Sequence, residues 1–246
     1  MKNLFKINTF TYIIFILSFL SGYYKEMFIT YFILVVHELG HFFLMKINNI
    51  KVKNITMYPY GGMIKSNMLI NTNSIKVLLI SLGGIINQII LYLLFFILFK
   101  LNIIDQNIYK ICMNYNTYII IFNLLPIYPL DGFKILNSIL EILLSFKKGL
   151  IISLIINFIS LIIFIIYLYI YKINNYIIIL FLITNILKYI KEIKYIFNKF
   201  YIERIIYKID YKGLKSVNKI SEIYKNKFNY IKSIDEKVYI ETMFRK

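Results

Sequence analysis

Residues 27–46 read MFITYFILVVHELGHFFLMK, an apolar run that contains both histidines of the 246-residue chain. A run of about 20 apolar residues is long enough for an α-helix to cross a bilayer. The whole chain is similarly apolar, with 59% hydrophobic residues and a mean hydropathy of +0.68. Soluble domains contain roughly 45–50% apolar residues. The sequence therefore predicts an integral membrane protein.

The apolar runs predict an all-α polytopic membrane protein with about six transmembrane helices. The runs cover residues 9–24, 27–46, 75–99, 109–127, 149–171 and 175–190. The first and last runs are short, so five or seven spans stay open as alternatives. We expect residues 1–190 to form one membrane domain and residues 191–246 to form a basic cytoplasmic tail.

The distribution of lysine indicates the orientation, because Lys and Arg accumulate on the cytoplasmic side of a membrane. The connection after the second run carries five lysines and no acid, namely Lys46, Lys51, Lys53, Lys65 and Lys76. The connections on the opposite side contain fewer lysines or balance them with acids. Both termini, residues 47–74 and residues 129–148 are therefore predicted to face the cytoplasm.

The basic tail contributes to the formal net charge of +17. Anionic lipid headgroups attract each nearby Lys or Arg by about 1 kcal/mol. This composition therefore favours contact with the lipid bilayer, and we expect no nucleic acid partner. Apolar residues recur at helical spacing, which predicts that part of the tail folds; they are Val217, Ile220, Ile223, Tyr224 and Phe228.

Within the run at residues 27–46, His37 and His41 stand four residues apart, with Glu38 beside the first. Residues i and i+4 of a helix lie on one face, so two neutral imidazoles can reach one Zn²⁺ ion. The glutamate is then available to take a proton from the attacking water. The alternative is a polar pair that is hydrogen-bonded within a helix bundle. Ionisable groups inside a span are energetically unfavourable, so we favour a functional site with one Zn²⁺ per chain.

A catalytic zinc site usually has three protein ligands and keeps a fourth position for water. The chain has no third histidine and its one cysteine is Cys112, so the third ligand should be a carboxylate. The predicted orientation places His41 near the cytoplasmic end of its span. The stretch NLLPIYPLDG at residues 123–132 ends another span on this side, and its two prolines interrupt the helix. We therefore predict Asp131 as the third ligand, in preference to Glu26, Asp105 and Glu141.

These two motifs resemble those of the site-2 protease family of intramembrane zinc metalloproteases. HELGH matches the zinc-binding helix of that family, and NLLPIYPLDG matches its second signature, an Asn followed by two prolines and Leu-Asp-Gly. The resemblance implies that His37, His41 and Asp131 bind zinc and that Glu38 is the general base. It also implies that Asn123 binds the substrate or the developing oxyanion.

A third signature of the family, Gly-Pro-x-x-Asn, is met only in part by GGIIN at residues 83–87. Gly83 and Asn87 fit this signature, but Gly84 stands where proline is usual, which leaves the role of Asn87 open. The chain has too few residues between its spans for a PDZ domain. In this respect, and in its early HELGH and C-terminal extension, it resembles the branch of the family that releases a sporulation sigma factor from a membrane-associated proform.

The resemblance implies a membrane-associated protein substrate, with a sigma-factor proform as the leading candidate and another membrane regulator as the alternative. It also implies regulatory membrane proteins as partners and a bacterial cytoplasmic-type membrane, such as the outer forespore membrane, as the location. The extension in that branch is commonly a CBS domain. Residues 191–246 are near the size of one CBS motif, so we expect a reduced CBS-like remnant at most.

Residues 55–64, ITMYPYGGMI, suggest how a substrate is held. They form either a small membrane-dipping β-hairpin, whose edge pairs with an extended substrate, or an ordinary cytoplasmic loop. Two other functions stay open on the sequence alone. A His-His-Asp set inside a membrane would also suit a metal transporter or sensor, and a catalytically silent scaffold is the third alternative.

Overall fold

The computed structural model describes residues 5–58, 61–173 and 176–244. Its helices are α1 (Thr9–Leu20), α2 (Tyr24–Ile47), α3 (Ser74–Lys100), α4 (Gln106–Leu124), α5 (Asp131–Leu143), α6 (Phe146–Ile170), α7 (Tyr176–Ile206) and α8 (Glu236–Phe244). Its strands are β1 (Phe5–Ile7), β2 (Val52–Tyr58), β3 (Gly61–Ser66), β4 (Leu214–Val217), β5 (Phe228–Ile231) and β6 (Ile234–Asp235). Contacts divide the chain into a first unit, Met1–Met68 with Leu79–Asn123, and a second unit, Leu69–Leu78 with Leu124–Lys246.

Three of the described helices, α2, α3 and α6, are long and apolar enough to cross a membrane. Large apolar side chains on α6 are exposed to the surroundings, among them Ile151, Ile155, Ile159, Ile162 and Ile166. A contiguous apolar surface of this kind marks contact with lipid or protein rather than water. The chain is therefore an integral membrane protein. Helices also form in the other three predicted runs, but the count of six spans stays a prediction.

The first unit contains a three-stranded sheet with the order β1-β2-β3. Strand β1 pairs parallel to β2, and β2 pairs antiparallel to β3. Residues 55–64 thus lie in a β-hairpin, as one of the two alternatives predicted, while its entry into the membrane and its pairing with a substrate stay predictions. Gly61 and Gly62, expected as a turn or bulge, lie in β3, and Pro59 lies outside the described residues. Leu34 of α2 packs with Ile55 and Met57 of β2, which fixes the sheet beside the helix that carries the histidines.

Helices α2 and α3 approach each other closely at two glycines. A Cβ atom on Gly40 would lie 2.1 Å from the backbone oxygen of Gly83, and one on Gly83 would lie 2.7 Å from that of Gly40. Small residues allow this approach, as they commonly do between membrane helices. The contact brings the residues after Gly83 against the histidine-bearing face of α2.

In the second unit, residues 131–143 form the helix α5, in a segment that the sequence analysis treated only as a connection. The predicted interruption at the two prolines is confirmed, since α4 ends at Leu124 and α5 begins at Asp131. The chain turns sharply between them: a Cβ atom on Gly132 would lie 2.2 Å from the backbone oxygen of Leu124. Only glycine fits this position.

Residues 217–231 fold, as predicted, but the apolar residues at helical spacing lie in strands, a 3-10 turn and the residues just after that turn, and the α-helix α8 follows only at Glu236–Phe244. Strands β4 and β5 are parallel, β5 and β6 are antiparallel, and a 3-10 turn (Ile220–Glu222) lies between β4 and β5. Buried apolar residues join this region to α6 and α7 within the second unit; they are Phe146, Leu150, Phe200, Val217, Ile223, Ile231 and Ile240. Residues 214–244, which we call the C-terminal module, therefore share a core with two long helices.

Candidate metal centre

The two histidines of HELGH lie side by side on α2 and are both buried. Their Nε2 atoms are 3.1 Å apart, as the i, i+4 spacing predicts. The other ring nitrogen of each histidine meets an oxygen: His37 Nδ1 lies 3.0 Å from Gln88 Oε1, and His41 Nδ1 lies 2.7 Å from the backbone oxygen of Ile80. Oxygens of these two kinds accept hydrogen bonds, so each Nδ1 carries the proton.

Protonation at Nδ1 leaves an acceptor lone pair on each Nε2, and the two lone pairs are directed into the same space. Two imidazole ligands of a tetrahedral zinc ion, each about 2.0–2.1 Å from the metal, are roughly 3.3 Å apart. The observed separation of 3.1 Å is close to that value. The donor set and its geometry therefore fit a shared Zn²⁺ ion.

Glu38 is also buried, and its Oε1 accepts a hydrogen bond from the Gly62 amide at 3.1 Å. A Cβ atom on Gly62 would lie 2.3 Å from Glu38 Cγ, so strand β3 passes directly against this side chain. The second glycine of the hairpin is therefore required by the approach of β3 to the carboxylate. The structure thus brings together His37, Glu38, His41 and the hairpin within one unit.

Asp131 begins α5 in the second unit and is buried, unlike an ordinary surface aspartate. Lys134 Nζ donates to its Oδ1 at 2.9 Å. Asn123 is half-buried near the end of α4, and its Nδ2 donates to the backbone oxygen of Ile119. Asn87, whose role the partial signature left open, donates from Nδ2 to the backbone oxygen of Val36 and so joins α3 to α2.

Sequence reasoning missed two residues that contact His37. Gln88 is fully buried, and its Oε1 lies 3.0 Å from His37 Nδ1. Gly84 leaves room for the His37 ring, since a Cβ atom on residue 84 would lie 2.3 Å from His37 Cε1. A signal for Gln88 was available, because an amide within an apolar span favours a functional role. The signal for Gly84 was its departure from the family proline.

Replacing Gly84 by Ala should lower the affinity for zinc about 10- to 100-fold, the range typical for changes that misplace a metal ligand. The new methyl group would lie 2.3–2.6 Å from three atoms of the His37 ring and would displace it. Competition with a chromophoric chelator would measure the dissociation constant. Gly149→Ala is the matched control, because its Cβ would lie 3.3 Å or more from its neighbours. Equal affinities in the two variants would contradict the assignment of His37.

Comparisons with known proteins agree with this geometry. Residues 26–108 match the model of Peptidase family M50. The structure is similar to that of the site-2 protease from Methanocaldococcus jannaschii, with a TM-score of 0.56, 23% identity, and coverage of 75% of this chain and 89% of that one. The described helices and the hairpin thus have the site-2 protease fold.

Two curated relatives are similar in sequence. Stage IV sporulation protein FB of Bacillus subtilis is 29% identical over 143 residues, which are 58% of this chain and 50% of the relative. A zinc metalloprotease of Methanocaldococcus jannaschii is 28% identical over 125 residues, 49% of this chain and 36% of the relative. The chain thus spans half of the first relative's length and about a third of the second's.

Proposed function

We propose that this chain, which carries a Peptidase M50 (site-2 protease) family domain, is a zinc endopeptidase that cleaves a membrane-associated protein near the cytoplasmic face. One observation carries the proposal. Two buried imidazoles are each held by a hydrogen bond at Nδ1, and their Nε2 atoms lie 3.1 Å apart, close enough to bind one ion. Glu38, which carries the carboxylate, is the next residue on α2 after His37. These residues are two of the three protein ligands of a catalytic zinc site and the base that hydrolysis of a peptide bond by zinc requires.

His37, His41 and Asp131 would hold the zinc ion in this proposal. The buried position of Asp131 supports its role, because a buried carboxylate needs a positive partner. Lys134 is one such partner, and a zinc ion would be another. When bound, zinc supplies Lewis-acid polarisation of the scissile carbonyl and makes water more acidic.

Glu38 would take the proton of the attacking water and deliver it to the leaving amine. The Gly62 amide holds Oε1 of this carboxylate and so fixes its orientation. Asn123, at the end of α4, would contact the substrate or the developing oxyanion.

Strand β3 would hold the substrate in an extended form. It is the last strand in the order β1-β2-β3, so one of its edges is open among the described residues. The Gly62 amide points from β3 to Glu38, which places that edge beside the proposed base. A substrate strand added there would pass the catalytic carboxylate, as in other recognition by β-strand addition.

The substrate that fits best is a sigma-factor proform associated with the membrane, since one of the similar proteins is a stage IV sporulation protein. Coexpression of the chain with such a proform, and separately with a single-span membrane regulator, would test the assignment. We expect a shortened product from the proform and none from the other protein. Cleavage of the regulator alone would support a site-2 protease with another substrate. Cleavage of neither, by a zinc-loaded chain, would count against both.

The proposed location of the site depends on both termini facing the cytoplasm. Single cysteines introduced at Lys51 and Lys219, both exposed, should resist a membrane-impermeant thiol reagent added to intact cells. The experiment uses a Cys112→Ala background, because Cys112 is the native cysteine. Cysteine at the exposed Asn107, predicted on the opposite side, is the positive control. Labelling at Lys51→Cys or Lys219→Cys from outside would refute this orientation.

A further inference from the structure

Gln88 is a fully buried amide in the middle of the apolar helix α3. Burying an amide without full hydrogen bonding is unfavourable, by roughly 1–3 kcal/mol on mutational scales. Its Oε1 faces His37 Nδ1 at 3.0 Å, whereas its Nε2 has no hydrogen-bond partner within the described part of the chain. A glutamine kept for packing alone would be expected to satisfy both ends. Gln88 satisfies only the end that faces the histidine.

The neighbouring helix fixes the backbone of Gln88. Asn116 of α4 is also fully buried, and its Nδ2 donates to the Gln88 backbone oxygen at 2.9 Å. The side chain of Gln88 therefore projects from a position that two helices define. Three polar residues in succession, Asn116, Gln88 and His37, connect α4 to the histidine pair within the first unit.

The two histidines are held in different ways. His41 Nδ1 contacts the backbone oxygen of Ile80. A side-chain substitution at Ile80 would not remove that oxygen. His37 Nδ1 contacts the side chain of Gln88, so the orientation and tautomer of the His37 ring depend on the identity of residue 88. An acceptor at Nδ1 directs the proton there and leaves Nε2 as the metal-binding atom.

We infer that Gln88 is a positioning residue for zinc binding: its Oε1 accepts the Nδ1 proton of His37 and so presents the Nε2 lone pair to the metal. The inference rests on the proposed zinc site. It assigns a role to one residue that neither HELGH nor NLLPIYPLDG contains. Residues in this position around metal sites typically change metal affinity 10- to 100-fold when they are replaced.

The test compares two substitutions of similar size in the full-length protein. Gln88→Met removes the acceptor, and Gln88→Glu keeps an acceptor oxygen at the same place in the side chain. We expect the zinc dissociation constant of Gln88→Met to rise about 10- to 100-fold and that of Gln88→Glu to stay within about threefold. Gln106→Met, at the exposed start of α4, should bind zinc like the unmodified chain.

A second measurement separates positioning from packing. The midpoint of thermal unfolding of the metal-free protein should change little in Gln88→Met, because removal of the unpartnered Nε2 group offsets the loss of the acceptor for His37 Nδ1. The d–d absorption of bound Co²⁺ should change in Gln88→Met and be kept in Gln88→Glu.

Three results would overturn the inference: equal zinc affinity in Gln88→Met and the unmodified chain, a loss of affinity in Gln88→Glu as large as in Gln88→Met, or a metal-free Gln88→Met protein that unfolds at a much lower temperature. Zinc binding by the unmodified chain shows whether only this inference has failed or the proposed function as well. If it binds no zinc, the proposed function fails, and the inference fails with it.

Discussion

Replacing Glu38 by Gln should abolish proteolysis while zinc stays bound. Gln has nearly the same volume, and its Oε1 can still accept the hydrogen bond from the Gly62 amide, so the local structure should be kept. It cannot take the proton of the attacking water. Loss of a general base typically lowers the rate about 10²- to 10⁴-fold, and the effect is larger where the same group also protonates the leaving amine.

Product formation from a coexpressed substrate and the zinc content of the purified protein would be measured together. Glu26→Gln, on the same helix α2, is the matched control and should cleave normally. Undiminished cleavage by Glu38→Gln would contradict the mechanism. The same pair of measurements separates a protease from a metal transporter or sensor, because neither of these functions needs a proton acceptor at residue 38.

Replacing Arg204 by Met should destabilise the C-terminal module by about 3–5 kcal/mol, because it leaves a buried carboxylate without its partner. Arg204 and Glu236 are both fully buried, and Nη1 donates to both carboxylate oxygens at 2.7 and 2.6 Å. Nη2 also donates to the backbone oxygens of Tyr224 and Lys225. One side chain therefore joins α7 to two segments of the module.

Limited proteolysis of the detergent-solubilised protein would measure this effect as faster cleavage within residues 207–244. Lys208→Met is the control, since Lys208 is exposed just after α7 and exposed lysines contribute about 0–1 kcal/mol through ion pairs. The double variant Arg204→Met/Glu236→Met should recover much of the lost stability, because it leaves no buried charge unpaired at this position. Equal protease resistance in Arg204→Met and the unmodified chain would show that the network contributes little.

The sequence predicts the histidine pair because its geometry is local. The spacing of His37 and His41 places both rings on one face of any α-helix, and an apolar run of 20 residues predicts that helix. The break at Pro126 and Pro129 is predictable for the same reason, since proline ends a helix through its own ring and missing N–H group. These parts of the site need no knowledge of the rest of the fold.

The contacts of the supporting residues could not be predicted, because they join segments that are distant in the sequence. The absence of a side chain at Gly84 makes room for the His37 ring, which lies 47 positions earlier in the chain. The absence of a side chain at Gly62 makes room for the Glu38 carboxylate, and the Gln88 side chain contacts His37 Nδ1. Sequence periodicity shows that a residue is polar or small within a helix, but it does not show which neighbour requires it.

The C-terminal module shows the limit of periodicity in short segments. Val217 and Phe228 suit a helical spacing, yet they lie in the strands β4 and β5. A run of four residues is too short to distinguish a period of 2 from a period of 3.6. Helix α5 was missed for a different reason: it is only 13 residues long and lies between two longer apolar runs.

Zinc content is the most direct test of the central claim that His37, His41 and Asp131 form a metal centre. The unmodified chain, His41→Ala, Asp131→Ala and Asp105→Ala would be purified in parallel, and metal would be measured by atomic emission. We predict about one zinc per chain in the unmodified protein and in Asp105→Ala, where the substituted side chain is exposed, and much less in the other two. Zinc retained equally by all four proteins, or by none of them, would contradict the account.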